Sequence, residues 1–127
     1  MIHHIELYVS HLERSRNYWG WLLPKLGYEN FQEWEKGFSY KFGETYIVFV
    51  QVEEPFIEAG YHRKRIGLNH LAFKADSKKQ VDDITEEMKR RGDRILYLDQ
   101  HPYAGGPDYY ALFAEDPDRI KVELVAP

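Results

Sequence analysis

Apolar and polar side chains alternate through Ile2–Val9. Ile5, Leu7 and Val9 fall on one face and His4, Glu6 and Tyr8 on the other. A period of two predicts a half-buried strand over residues 2–9. Ser10, with Glu13 three positions on, has the form of a capping box. Leu12, Tyr18 or Trp19, Leu22, Leu23 and Leu26 then recur at helical spacing, and Gly27 stands where a helix C-terminus favours glycine. Pro24 lies near the end of this helix. Gly37–Phe42 and Thr45–Val52 read as strands, with Phe42-Gly43-Glu44 as the turn between them. Residues 53–66 are polar and irregular, carry Pro55, Gly60 and the basic run His62-Arg63-Lys64-Arg65, and read as a linker with a solvated basic loop.

The pattern then restarts. Gly67–Ala75 reads as a strand with Leu71, Phe73 and Ala75 on one face and His70, Ala72 and Lys74 on the other. Ser77 and Gln80 form a second capping box. Val81, Ile84 and Met88 form a second helical stripe that Gly92 closes. Ile95–Leu98, Tyr109–Ala114 and Ile120–Val125 are further strands. The chain is thus β-α-β-β-β twice, an α+β arrangement in which His4 maps onto His70 and Ile47-Val48-Phe49 onto Val122-Glu123-Leu124. Half-modules of this size cannot bury a sheet face alone. The expected organisation is therefore one domain over 1–127, with module 1 at about 1–55, the linker at 53–66 and module 2 at 67–127.

Composition narrows the chemistry. The chain has 127 residues, no Cys and a formal charge of −4. Without cysteine there is no disulfide framework, thiolate zinc site or thiol nucleophile, and a cytoplasmic, reducing location is expected. No apolar run is long enough to span a bilayer, and no secretory signal pattern opens the chain. The acidic balance makes nucleic acid a poor partner. Aromatic residues make up 16% of the chain, more than a core of this size needs, which points to a lined cavity. No Ser-His-Asp set with usable spacing appears.

Two modules related by a pseudo-twofold axis would place equivalent residues near one another. If the sheets curl together, His4, His70 and Glu123 meet in one cavity. Two imidazoles and a carboxylate suit Zn, Fe, Mn, Ni or Co, and with open positions they match a facial triad. His3 falls on the opposite face by alternation, and His11, His62 and His101 fall at a helix start or in loops. Glu6, Tyr8, Lys74 and Lys121 share the faces of the candidate ligands, as substrate contacts or as solvated rim residues. The segment 99–110 is rich in Gly, Pro and Tyr and reads as a mobile turn. It offers Tyr103, Tyr109 and Tyr110 either for closing over a ligand or for packing. Its Gly105-Gly106 lacks a phosphate-binding pattern.

The sequence resembles the vicinal oxygen chelate superfamily, which includes glyoxalase I, fosfomycin-resistance enzymes, extradiol dioxygenases and bleomycin-resistance proteins. The resemblance runs from His4-Ile5-Glu6-Leu7 through Asn69-His70-Leu71-Ala72-Phe73 to Glu115-Asp116-Pro117-Asp118 and Val122-Glu123-Leu124. It implies paired βαβββ modules forming a U-shaped, partly open β-barrel with helices outside. It also implies a divalent metal on His4, His70 and Glu123, a small oxygen-bearing substrate chelated by that metal, and a homodimer. Catalysis would draw on Glu123, with Glu6, a tyrosine such as Tyr103, or bound hydroxide handling protons. Two positions depart from the family pattern. Val48 stands where glyoxalase I members have a fourth carboxylate ligand, with Gln51 as a distant substitute. Arg119 stands where the turn usually has Gly, so the turn is expected to differ locally. The alternative reading is a metal-free drug- or small-molecule-binding protein of the bleomycin-resistance type. A third is an accessory or dimerisation module with no chemistry of its own.

Overall fold

The computed structural model describes Met1–Pro127 and divides into two compact units, Met1–Gly60 and Tyr61–Pro127. The boundary falls inside the segment read as a linker. The first unit runs β1 (His4–Val9), α1 (Leu12–Lys25), β2 (Glu29–Trp34), β3 (Gly37–Phe42) and β4 (Thr45–Gln51), followed by a single 3-10 turn at Glu54–Phe56. The second runs β5 (His70–Lys74), α2 (Lys78–Arg91), β6 (Arg94–Ile95), β7 (Ala111–Glu115) and β8 (Lys121–Val125). Each is a four-stranded open mixed sheet, ordered β1-β4-β3-β2 in the first unit and β5-β8-β7-β6 in the second. The fold is α+β with tandem βαβββ modules, as the repeat predicts.

In each sheet the first strand pairs in parallel with the fourth, because the helix carries the chain across the sheet before the strands meander back. Register decides which side chains share a face. His4 lies beside Tyr46 and Glu6 beside Val48; His70 lies beside Lys121 and Ala72 beside Glu123. Val48 and Glu123 are therefore equivalent, each opposite the residue two beyond the module's histidine.

The helices bury the stripes that the spacing predicts. Trp19, Leu22 and Leu23 of α1 and Val81 and Met88 of α2 are fully buried. Each large apolar side chain so buried contributes roughly 1.5–3 kcal/mol. Both helices end on a glycine with left-handed backbone, Gly27 at φ 92° and Gly92 at φ 80°. After α1 the Tyr28 N–H bonds the Leu23 carbonyl at 3.0 Å and the Gly27 N–H bonds the Pro24 carbonyl at 3.1 Å. This is a Schellman end, which satisfies two orphan carbonyls.

The helix starts differ from each other. Ser77 caps α2 as expected, its hydroxyl accepting from the Gln80 N–H at 3.0 Å. In α1 the cap is His11 rather than Ser10: its Nδ1 accepts from the Arg14 N–H at 3.3 Å. The reason lies in β4. Gln51 accepts from the Leu12 N–H at 2.9 Å and donates to the Ser10 carbonyl at 2.8 Å, pinning both sides of the helix start. Gln51 thus serves the helix and is not a spare metal ligand.

Strand β2 escapes the hydrophobic pattern because all six of its residues are exposed at the sheet edge. The strand predicted at Ile95–Leu98 shrinks to Arg94–Ile95, and Tyr97 that follows has φ 57°. The Asp116–Ile120 turn keeps the left-handed conformation despite its arginine: Arg119 has φ 68°. Asp116 Oδ1 holds the turn by accepting from the N–H groups of Asp118 at 2.9 Å and Ile120 at 2.8 Å.

Candidate metal centre

The second unit brings two of the expected ligands together. His70 opens β5 and Glu123 lies on β8, one strand away and two residues further along. The pleat puts both side chains on one face. Glu123 is buried, and His70 is about a third exposed. His70 Nε2 stands 3.1 Å from Glu123 Oε2. The other ring nitrogen, Nδ1, lies 2.7 Å from Asn69 Oδ1. An amide oxygen only accepts, so Nδ1 donates to Asn69, and Nε2 faces the carboxylate. Two lone pairs so close repel each other unless a proton or a metal cation lies between them.

The second carboxylate oxygen, Oε1, accepts a hydrogen bond from the Tyr109 hydroxyl. That bond raises the Tyr109 phenol above its ordinary range, with burial and the carboxylate charge adding to the effect. The ring reaches Glu123 because Gly105 lacks a side chain; a Cβ there would overlap it. The Gly105-Gly106 pair thus admits an aromatic ring against the backbone.

This donor set suits a divalent metal. A histidine nitrogen and a carboxylate oxygen, each about 2.1 Å from a shared ion, stand about 3.0 Å apart at octahedral angles and about 3.4 Å apart at tetrahedral ones. Asn69 orients the imidazole and Tyr109 the carboxylate, the outer partners that metal-binding ligands usually have. Neither unit by itself gathers three histidine or carboxylate side chains around one point.

In the first unit His4 is exposed at the start of β1 and stacks on Tyr46 with ring centroids 4.8 Å apart and planes 6° apart. His3 precedes the strand, so alternation does not govern it: its Nδ1 lies 2.8 Å from His4 Nδ1. That contact leaves His4 Nε2 on the outer side of the ring. Glu6 is exposed on the His4 face, and Val48 beside it is buried. The first module therefore places no carboxylate at the fourth-strand position.

Other sequence candidates are placed as follows. Tyr103 packs edge-on against Tyr110 at 5.6 Å and is about half exposed. Tyr110 donates to Asp82 at 2.5 Å, which pushes its phenol up to about 12. Lys121 donates to the Tyr97 hydroxyl at 3.2 Å. His62 accepts from the Lys64 N–H at 3.1 Å. Arg63, read as part of a solvated basic loop, instead pairs with buried Glu115 at 2.8 Å. Asn69 is the supporting residue that sequence reasoning passed over. Its only signal is its position next to His70, within the quoted Asn69-His70 motif.

A repeated βαβββ unit with a histidine opening each first strand, and a carboxylate on the last strand of the second copy, is the pattern of a class of paired-module proteins. The Glyoxalase/Bleomycin resistance protein/Dioxygenase superfamily model matches residues 1–124. The chain belongs to that superfamily. It is 61% identical over 126 residues to "Uncharacterized protein YqjT" of Bacillus subtilis (strain 168), covering 99% of this chain and 98% of that protein. The crystal structure of a "putative glyoxalase" from Bacillus halodurans is 60% identical and superposes with a TM-score of 0.98, covering 100% of this chain and 96% of that one. A genomically encoded fosfomycin resistance protein from Listeria monocytogenes shares the fold, with 20% identity and a TM-score of 0.70 over 100% of this chain and 93% of that one. No helix is long and apolar enough to cross a membrane.

Proposed function

We propose that the protein is a divalent-metal-dependent enzyme acting on a small, oxygen-bearing substrate. The observation that carries this reading is the pairing of His70 Nε2 with Glu123 Oε2 at 3.1 Å, with both groups oriented by neighbours. His70 and Glu123 would hold the ion, and His4 completes the ligand set that family membership supports. Zn, Mn, Fe, Ni and Co all suit two nitrogens and one oxygen. When bound, such an ion supplies Lewis-acid polarisation of substrate oxygens.

The chain's own side chains do the rest. Tyr109 keeps the Glu123 carboxylate in one orientation, and Asn69 fixes the His70 tautomer. Glu6, on the His4 face, is the proton acceptor in this reading, and Tyr103 a proton donor near the substrate. With Val48 at the fourth-strand position of module 1, the set holds three protein ligands rather than four. That supports the branches that leave positions open for substrate, among lyase, isomerase, transferase and dioxygenase chemistries. Membership of this superfamily also supports a homodimer, and the lack of cysteine fits the cytoplasm.

Elemental analysis of the purified full chain, followed by titration of the chelated protein with divalent metals, tests the reading. The expected result is one metal per metal site, with affinity falling more than about 100-fold in His70→Ala, since loss of an outer partner alone costs 10–100-fold. Absence of metal uptake by the wild-type chain, together with unchanged small-molecule binding in His70→Ala, would overturn it in favour of a metal-free binding protein.

A further inference from the structure

The second unit holds a cluster of cations around one buried acid. Glu115, at the end of β7, is 3% exposed. Arg63 Nη1 reaches its Oε2 at 2.8 Å, Arg119 Nε the same oxygen at 3.4 Å, and Arg94 Nη1 its Oε1 at 3.5 Å. Lys121 pairs with Glu115 across β7–β8, and its ammonium lies over the Tyr97 and Phe113 rings at 5.1 and 5.0 Å. Asp116, next along, accepts from the backbone N–H groups of Asp118 and Ile120.

Three guanidinium groups pair with one carboxylate here, with Lys121 on the neighbouring strand. A carboxylate offers about four acceptor sites, whereas three guanidinium groups carry about fifteen N–H donors. Arg94 and Arg119 keep 58% and 68% of their side-chain surface exposed, so their outer edges face solvent. A surplus of exposed guanidinium forks around a buried anchor is a form suited to binding planar or tetrahedral oxyanions.

The backbone singles out the same place. Tyr97 and Arg119 are the chain's two non-glycine residues with positive φ. Both deliver their side chains to this cluster: Arg119 to Glu115, and Tyr97 to Lys121 at 3.2 Å. Left-handed backbone is unfavourable for arginine and tyrosine, and such outliers persist where the surrounding structure holds them and gather at ligand sites. Glycine at 119 would remove the strain but also the cation.

We propose that Arg63, Arg94, Arg119 and Lys121 form an oxyanion subsite, and that the substrate is a small molecule carrying a carboxylate or phosphate group. Lys121 lies beside His70 on one side and Glu115 on the other, so the cluster sits one to two strand spacings from the His70–Glu123 pair, about 5–10 Å. A molecule of a few carbons spans that distance, with its anion at the arginines and its chelating oxygens at the metal. The placing of substrate rests on the metal-site reading above; the anion site itself does not.

Calorimetric titration of the full chain with inorganic phosphate, and separately with malonate, tests the proposal against sodium chloride of equal ionic strength. Saturable binding of one or both is expected, and the tighter of the two names the anion class. Arg119→Gly and Arg94→Gln should each weaken it about tenfold, the loss of one charge-assisted hydrogen bond. Arg119→Gly should also melt no lower than the wild type, since it relieves the positive φ. His70→Ala should lose metal and keep the anion. Binding no different from chloride, or binding unaffected by both arginine variants, would overturn the subsite. Anion binding that vanishes in His70→Ala alone would place the anion on the metal and overturn it equally. Anion binding retained in a chain that takes up no metal would leave the subsite standing and sink the metal reading instead.

Discussion

The two modules share element order, strand order and the parallel pairing of first and fourth strands, yet they are not chemically alike. On the His4 face of module 1 the neighbours are Tyr46, Val48 and Ser39; on the His70 face of module 2 the matching positions hold Lys121, Glu123 and Phe113. One module sets a tyrosine, a valine and a serine on the strands beside its histidine, with no carboxylate among them. The other supplies a buried carboxylate with its own tyrosine donor, beside a cluster of arginines. The repeat builds the scaffold twice, and the chemistry rests on substitutions at a few face positions that do not alter the fold.

The most severe way to break this asymmetry is to make module 1 resemble module 2. Val48→Glu places a carboxylate where Val48 is 4% exposed. Without a partner it should destabilise the metal-free chain by about 2–4 kcal/mol, seen as a lower urea midpoint. If Val48 marks the fourth-ligand position, added divalent metal should recover more stability in this variant than in the wild type. Equal recovery in both would separate Val48 from the metal.

The helix ends sharpen the comparison. Gly27 and Gly92 close α1 and α2 with the same left-handed backbone, but a Cβ on Gly27 would meet the Phe42 ring at 2.7 Å whereas one on Gly92 meets open space. Gly92→Ala should cost about 1 kcal/mol, the backbone term alone. Gly27→Ala should cost more, about 2 kcal/mol, because the ring must shift as well. Thermal denaturation of the pair checks the order; equal losses would mean that Phe42 moves aside freely.

The smallest effect concerns alkaline pH. Tyr110, bonded to Asp82, has its phenol raised from 10.0 to about 12. Between those values the unfolded chain has lost a proton that the folded chain keeps, so stability falls as pH rises through this window. Tyr110→Phe should flatten that part of the stability profile, and an unchanged profile would show that the bond to Asp82 does not persist in solution.

Much of this was legible beforehand, and the failures have definite physical causes. The helical stripes and the His4–His70 correspondence follow from periodicity, because burial on one face imposes a repeat on the sequence. Strand β2 left no such repeat, since an exposed edge strand buries nothing. The α1 cap was misplaced because Ser10-x-x-Glu13 is a local signal, whereas the side chain that holds the helix start, Gln51, arrives from a strand 41 positions after Ser10. The turn at Arg119 was expected to depart from the left-handed form; Asp116 holds it there.

The sequence by itself determined the repeated βαβββ order and nominated His4, His70 and Glu123, because strand and helix periods and the placing of matching residues are one-dimensional information. It also placed Val48 opposite Glu123 in the repeat. Tertiary structure decided which partners each group has. That Asn69 directs the His70 ring, that Tyr109 rather than Tyr103 reaches Glu123, and that Arg63 from the loop meets Arg94 and Arg119 at Glu115 all depend on strand register and loop path. Hydrogen bonds and ion pairs act over a few ångströms between residues far apart in the chain, and only the folded backbone sets those distances.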